Sequence, residues 1–266
     1  MLDGKIAIVT GGGQGLGRGI VCEMARQRAA GIAVVDRNRA TAEETAELAR
    51  PFGAEVTVIA CDLRDRDQIE AMVGSAARQF GRLDVLVNNA GVIETTMTQE
   101  CAVDTLPEEV WDAVYETNLR ATWLATKFAA PHLRRSTRGP SIVNACSVAG
   151  IAAFPNAPAY CATKGAIAQL TKATALDLSP HVRCNAYAPG AIETPMAREH
   201  IEQSADPAAA ERELTAPQII GRLGTPEEVG KLVCFLASDD AAFLTGTVYP
   251  IDGGFLAWGS SRTRPE

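Results

Sequence analysis

No run of about 18 consecutive apolar residues occurs in the 266-residue chain, so no transmembrane helix is expected. Its seven cysteines, at 22, 61, 101, 146, 161, 184 and 234, form no C-x-x-C pair and are odd in number. That argues against a thiolate metal site and against a disulfide framework. Positive charge is in deficit: 25 Lys and Arg face 32 Asp and Glu, a net charge of −7, with the two signs interspersed. Nucleic acid is therefore a poor partner. The three histidines, His132, His181 and His200, are scattered and suggest neither a metal set nor a catalytic base. There is no internal repeat, low-complexity tract or composition break, so residues 1–266 read as one domain. Met1 leads directly into a strand candidate, without a basic-then-apolar leader, and a cytoplasmic location is expected.

Hydrophobic residues make up 47% of the chain, enough to bury a large core. Strand candidates are Lys5–Thr10, Ile32–Asp36, Glu55–Ala60, Asp84–Val87, Ser141–Cys146, Val182–Tyr187 and Thr247–Ile251. Between them lie helix candidates at Leu16–Arg28, Arg39–Phe52, Arg66–Phe80, Pro107–Ala130, Ala159–Leu178 and Pro226–Ala237. Regular alternation predicts an α/β fold, a doubly wound parallel sheet of about seven strands with helices on both faces. Ligands of such sheets sit at the carboxyl ends of the strands.

Chemistry-bearing residues fall at those ends. Lys5–Thr10 (KIAIVT) is a short β-branched strand that runs into Gly11, Gly12, Gly13, Gln14, Gly15, Leu16 and Gly17, followed by an apolar helix. Strand, glycine turn and helix make an anion site, because N–H groups at a helix start point outward and their dipole favours negative charge. The literal G-x-G-x-x-G is absent; the pattern is T-G-x-x-x-G-x-G from Thr10 to Gly17. Asp36 closes the second strand at the offset of a ribose-binding acid, which would accept from both hydroxyls and repel a 2′-phosphate. This favours NAD over NADP. Arg37 suits a phosphate or is a solvated loop charge, and the second reading is preferred. Ser147 ends the fifth strand. Tyr160 and Lys164, four apart, share one face of the next helix. A phenol beside an ammonium is expected to titrate below its reference of about 10. It would then serve as a proton donor and acceptor near neutral pH.

From about Leu2 to Gly254 the chain resembles the short-chain dehydrogenase/reductase family. The resemblance rests on TGGGQGLG at Thr10–Gly17, Asp36, Asp62, NNAG at Asn88–Gly91, Asn118, Ser147, YCATK at Tyr160–Lys164, PGAIETP at Pro189–Pro195 and DGG at Asp252–Gly254, in this order, with Ser147 thirteen residues before Tyr160. It implies an NAD-dependent oxidoreductase that interconverts a secondary alcohol and a ketone, with Tyr160 as general acid/base and Ser147, Lys164 and Asn118 completing the catalytic set. It also implies a cofactor site at Gly11, Gln14, Gly15, Leu16, Gly17, Asp36, Arg37, Asp62, Leu63, Asn89, Ala90, Gly91, Tyr160, Lys164, Pro189, Gly190, Ile192 and Thr194. Asp62 either contacts the adenine or caps the helix that follows, or both. Asn89 lines the adenosine side or serves only a turn. Asn118, mid-helix, either faces solvent or interrupts the helix and holds a water that relays protons to Lys164. Glu193 reads as a solvated loop carboxylate. Cys146 and Cys161 read as small buried hydrophobes.

Residues 191–220 are expected to form a substrate lid containing Met196, His200, Ile201 and Leu214. The tail, Phe255–Glu266 with Trp258, covers a pocket of its own subunit or of a neighbour, since family members often form tetramers. Val148–Pro158 is a wall of small and apolar residues, which favours a neutral or weakly polar substrate. Steroid, terpenoid, cyclic and sugar alcohols stay open. Glu94–Asp104 is longer than the family pattern and reads as polar loop beside the cleft. Two alternatives stand beside the main reading: an NADPH-dependent 3-oxoacyl-(acyl-carrier-protein) reductase, and a non-catalytic NAD-binding regulatory protein on the same fold.

Overall fold

Short β-branched runs stopped by glycine or polar residues become parallel strands, and the periodic segments between them become helices. The computed structural model describes residues 1–202, 204 and 206–257, apart from the side chains of Met196, Glu199 and His200. Trp258 and the rest of the tail lie outside the described residues, as do the lid side chains Met196 and His200. The strands are β1 (Ile6–Thr10), β2 (Gly31–Asp36), β3 (Glu55–Ala60), β4 (Val85–Asn88), β5 (Ser141–Ala145), β6 (Arg183–Pro189) and β7 (Val248–Ile251). They pair in parallel in the order β3-β2-β1-β4-β5-β6-β7. Strand order reverses between β1 and β4, and this opens a crevice at the carboxyl edge.

Helices cover both faces: α1 (Gly15–Arg26), α2 (Arg39–Ala49), α3 (Arg66–Phe80), α4 (Glu108–Tyr115), α5 (Ala121–Leu133), α6 (Pro158–Leu178), α7 (Pro195–Glu202), α8 (Pro207–Thr215) and α9 (Pro226–Ala237). The period-two geometry of a strand sends alternate residues to opposite layers. Ala7 and Val9, Ile32 and Val34, Val85 and Val87 pack with Ile20 and Met24 of α1 and Val229 and Val233 of α9. Their neighbours Ile8, Ala33, Val35 and Leu86 pack with Ile69 and Met72 of α3 and Leu124 and Leu133 of α5. Both faces of the central strands are thus dry, which is why they read as continuous apolar runs.

Three segments differ from expectation. The helix predicted over Arg39–Phe52 ends at Ala49 and closes with a 3₁₀ turn, Arg50–Phe52, before Gly53 at φ 90°. The helix predicted over Pro107–Ala130 is two helices joined by a π turn at Glu116–Arg120. Segment 191–220, where no helix is predicted, carries α7 and α8, each started by a proline at its first position (Pro195, Pro207).

Candidate active site

The glycine turn is fixed by contacts that leave no room for side chains. Gly12 N–H bonds the Val35 carbonyl at 3.0 Å and Gly13 N–H bonds Asp36 Oδ2 at 3.0 Å. Gly11 adopts φ +62°, a left-handed conformation that favours glycine. A Cβ on Gly17 would stand 1.9 Å from the Gly11 carbonyl oxygen. No side chain caps the first turn of α1 at Gln14, so its leading N–H groups are free to meet an anion. Gln14 itself is exposed, Gly15 is half-buried, and Leu16 packs on the core below. Gly17→Ala is therefore expected to lower NADH affinity by about a hundredfold, roughly 2.7 kcal/mol, and to lower the melting temperature as well. Fluorescence titration and a thermal melt check it.

The Asp36 carboxylate is oriented by two N–H donors, Gly13 on Oδ2 and Asn38 on Oδ1, both at 3.0 Å. Arg37 beside it is exposed. Asp62 follows β3 but does not cap α3; Asp65 does, accepting from Asp67 and Gln68 N–H groups. The offset of one turn arises because Asp62 is held by Arg64, whose guanidinium reaches Oδ2 at 2.7 Å and keeps the carboxyl below its ordinary value. Leu63 packs on the second core layer. Asn89 ties three strands together: its amide donates to the Thr10 and Gly11 carbonyls at 2.9 and 3.2 Å and accepts from the Tyr187 hydroxyl at 2.8 Å. Ala90 N–H bonds Thr10 Oγ1 at 3.2 Å. Gly91, exposed, leaves the space into which Lys164 and Asn118 project; a Cβ there would lie 3.3 Å from Lys164 Nζ.

At the far side of the crevice, Pro189 ends β6, and Gly190 N–H bonds the Ile251 carbonyl at 3.1 Å. A bridge between Ile192 and Gly224 anchors the next turn, and Thr194 Oγ1 accepts from Ala197 N–H at 3.2 Å at the start of α7. Glu193 is half-buried and paired with Arg198. The tail begins against the wall, with Phe255 and Phe154 ring centroids 5.6 Å apart.

The four catalytic candidates converge. Asn118 is fully buried in the π turn and does not face solvent. Such turns recur at functional sites because they free backbone groups and turn a side chain inward. Its amide grips Val92 from both sides, accepting from its N–H at 2.8 Å and donating to its carbonyl at 2.9 Å. Lys164 is 3% exposed, donates to the Ala145 carbonyl at 2.8 Å, and places Nζ 5.5 Å from the Tyr160 ring centre. Burial disfavours its charge and pulls it down to about 8. The Tyr160 phenol is enclosed although the residue keeps partial exposure at the cleft, and the Ser147 hydroxyl beside it favours its ionised form.

The expected acidification of the phenol is overturned for the protein by itself. Burial pushes Tyr160 up to about 12, the Ser147 hydroxyl pulls back only part of that, and Cys146, Cys161 and Glu94 add to the rise. The ammonium bonds a backbone carbonyl and not the phenol, so desolvation wins. Cys146 is inert: its buried thiol faces the Lys164 carbonyl at 3.2 Å and titrates above its ordinary value. Among the described residues no group of His, Cys, Asp and Glu forms a metal site, and no helix is long and apolar enough to cross a membrane.

One residue at the site went unrecognised in the sequence. Glu94 was expected in a polar loop, yet it is fully buried, its carboxylate against the first turn of α6. The signal was indirect: α6 starts at Pro158 after Ala157, which has no capping side chain, so its N–H groups need a remote acceptor.

Residues 11–256 match the family model described as enoyl-(acyl carrier protein) reductase. A 3-oxoacyl-(acyl-carrier-protein) reductase of Thermotoga maritima is 36% identical over 96% of this chain and 99% of its own. A cyclopentanol dehydrogenase of Comamonas sp. is 34% identical over 96% and 98%. The crystal structure of a levodione reductase superposes with a TM-score of 0.90 at 31% identity, covering 97% of this chain and 99% of that one. The chain belongs to the short-chain dehydrogenase/reductase family. It is accordingly an oxidoreductase of a family that works with a nicotinamide cofactor.

Proposed function

We propose that this protein interconverts a small secondary alcohol and its ketone with NAD(H). One observation carries the reading: an enclosed phenol beside the Ser147 hydroxyl sits one helical turn from a buried Lys164 at the carboxyl edge of the sheet. The cofactor, when bound, supplies the carbon that accepts or returns hydride. Tyr160 takes the hydroxyl proton on oxidation and gives it back on reduction. Ser147 fixes the reacting oxygen. Lys164 holds the nicotinamide ribose and lends positive charge to the phenolate; the charge of the oxidised cofactor has the same sign. Asn118 keeps the proton route open beside Lys164. The uncapped first turn of α1, with Gly11, Gln14, Gly15, Leu16 and Gly17, takes the diphosphate. Asp36 with Arg37, Asp62 with Leu63, and Asn89, Ala90 and Gly91 take the adenosine half. Pro189, Gly190, Ile192 and Thr194 take the nicotinamide half, with 191–220 as lid.

The choice of NAD rests on Asp36, whose carboxylate is held in place by two backbone donors and would repel a 2′-phosphate. NADH is expected to bind at least about tenfold more tightly than NADPH, ~1.4 kcal/mol, and Asp36→Ser is expected to erase most of that gap. Paired fluorescence titrations measure both. A marked NADPH preference in the wild type would favour the second reading, a 3-oxoacyl-(acyl-carrier-protein) reductase, the activity named for the Thermotoga maritima relative.

Substrate class follows from the wall: Ala149 is buried, Ile151 and Phe154 are exposed, and no arginine or lysine stands among 148–158 to meet an anion. The cyclopentanol named for one similar protein makes cyclic alcohols the first to try. A panel of cyclic, steroid and polyol alcohols with NAD, followed by NADH absorbance, tests the function; binding of NADH without turnover of any of them would overturn it. We further assign a homotetramer in the cytoplasm. Trp111, Tyr115 and Trp123, exposed on α4 and α5, supply apolar area for a second copy, and light scattering after size exclusion reads the assembly state.

A further inference from the structure

We propose that Glu94 is a positioning residue for the reaction: it clamps the first turn of the helix that carries Tyr160 and so sets where the phenol stands in the cleft. The inference rests on the dehydrogenase reading above and adds a residue to it.

The helix α6 begins at Ala157-Pro158, and neither residue offers a side-chain acceptor to the first turn. Glu94 takes that place from 64 residues upstream. Its Oε1 accepts from Ala159 N–H at 2.9 Å and Tyr160 N–H at 3.3 Å, and Oε2 shares the Tyr160 donor at 3.3 Å. The carboxylate is fully buried, a placement that is unfavourable for a charge unless donors meet it. The positive end of α6 and two N–H groups meet it here.

The Tyr160 backbone is gripped at its other end too. Its carbonyl accepts from Thr163 Oγ1 at 2.9 Å, and Thr163 Oγ1 accepts from Asn118 Nδ2 at 3.3 Å. Asn118 in turn fixes both polar groups of Val92, two residues before Glu94. The hydrogen bonds therefore close a ring: Tyr160 N–H, Glu94, Val92, Asn118, Thr163, Tyr160 carbonyl. The residue that must meet the substrate oxygen is held on both sides of its Cα, and one of the two holds is the buried acid. The 3₁₀ turn Glu94–Thr96 leads into the polar segment that departs from the family pattern, so this clamp also joins the substrate-side segment to the catalytic helix.

A clamp that is negative has a second consequence. The groups that bear on the charge of the phenol are Cys161 from its own helix, Cys146 and Ser147 from the end of β5, Tyr187 from β6, and Glu94, with Lys164 Nζ 5.5 Å from the ring centre. Glu94 is the acid in that group and opposes phenolate formation. Removing its charge while keeping an oxygen in place makes the phenol more acidic, so oxidation, which needs the phenolate, should begin at lower pH.

The test compares wild type, Glu94→Gln and Glu94→Ala at saturating NAD with the best alcohol found. In Glu94→Gln the amide oxygen can keep both N–H bonds. Its pH–rate profile for oxidation is expected to shift to lower pH. Glu94→Ala loses the clamp, and kcat is expected to fall by about tenfold or more while the NADH dissociation constant stays within about threefold, because no cofactor-side contact is touched. A purely structural role would lower the melting temperature without moving the pH profile of the Gln variant. If Glu94→Ala does not fold, Glu94→Asp, whose shorter side chain draws the carboxylate off the Ala159 and Tyr160 N–H groups, decides in its place by the same fall in kcat at an unchanged NADH dissociation constant. An unshifted Gln profile, or an Ala variant with wild-type kcat, overturns the inference while leaving the dehydrogenase reading intact. A wild type that binds NADH yet oxidises no alcohol overturns both.

Discussion

Tyr160→Phe is expected to abolish turnover, with kcat reduced by about three orders of magnitude or more, while NADH still binds within a few fold of wild type. The asymmetry follows from the geometry. The substitution removes one oxygen and keeps the ring, so the contacts of the ring with Lys164 and the cleft wall persist. What is lost is the proton acceptor, and general acid–base catalysis of this kind contributes about 10²–10⁴-fold. Nothing among the described neighbours can replace it. The Cys146 thiol is buried against a backbone carbonyl and titrates high. The Ser147 hydroxyl already accepts from Ala149 N–H at 3.1 Å, which fixes it as a holder of the oxygen and not a base. Glu94 is occupied by two N–H groups. Ser147→Ala, by the same reasoning, should cost less, about a hundredfold. Single-turnover rates with NADH binding measured in parallel separate the two steps. A Phe variant within tenfold of wild type would remove Tyr160 from the reaction.

The fold was largely legible because its signals are local and mutually consistent. β3, α3 and α9 match the predicted bounds, and each is bracketed by a cap or a break: Asp65 before α3, Gly81 after it, Thr225 with Glu228 as a capping box before α9. The convergence of Gly11, Asp36, Asp62, Asn88, Ser147 and Pro189 on one edge needed only the alternation of strands and helices. What the sequence hid depends on contacts between distant segments. The π turn at Asn118 leaves the apolar period of the helix nearly intact, so a continuous helix was the natural reading. Glu94 sits among Thr95, Thr96, Thr98 and Gln99, a composition that spells exposed loop. Only the missing cap at Ala157, 63 residues away, hinted otherwise. For Asp62 the sequence leaves an adenine contact and a helix cap both open, and the cap belongs to Asp65, one turn later. The acidity of Tyr160 was misjudged because spacing reports proximity to Lys164 and not the dielectric around both.

Lys164→Met should separate the two directions of the reaction. Oxidation needs Tyr160 as phenolate, and reduction needs it protonated. Removing the buried cation takes away positive charge near a phenol that burial already holds at about 12. The rise of the oxidation rate with pH should therefore move upward, and kcat at pH 7.5 should fall by about a hundredfold or more. Reduction, whose acid is already protonated, should fall by less at saturating NADH. The apparent KM for cofactor should rise in both directions if Lys164 also holds the ribose. Stability supplies a check that needs no turnover. Lys164 titrates at about 8 in the folded protein against 10.5 when unfolded, so between those values the unfolded chain binds more protons. Stability from this group is absent below pH 8, grows as pH rises, and is complete above 10.5. Tyr160, raised to about 12 from 10.0, works the other way, losing stability between pH 10 and 12. Urea midpoints of the wild type should thus gain from Lys164 between pH 8 and 10, and the Met variant should lack that gain. Equal losses in oxidation and reduction, with an unchanged pH profile, would mean that the ammonium serves only to bind cofactor and that the phenol draws its acidity from elsewhere.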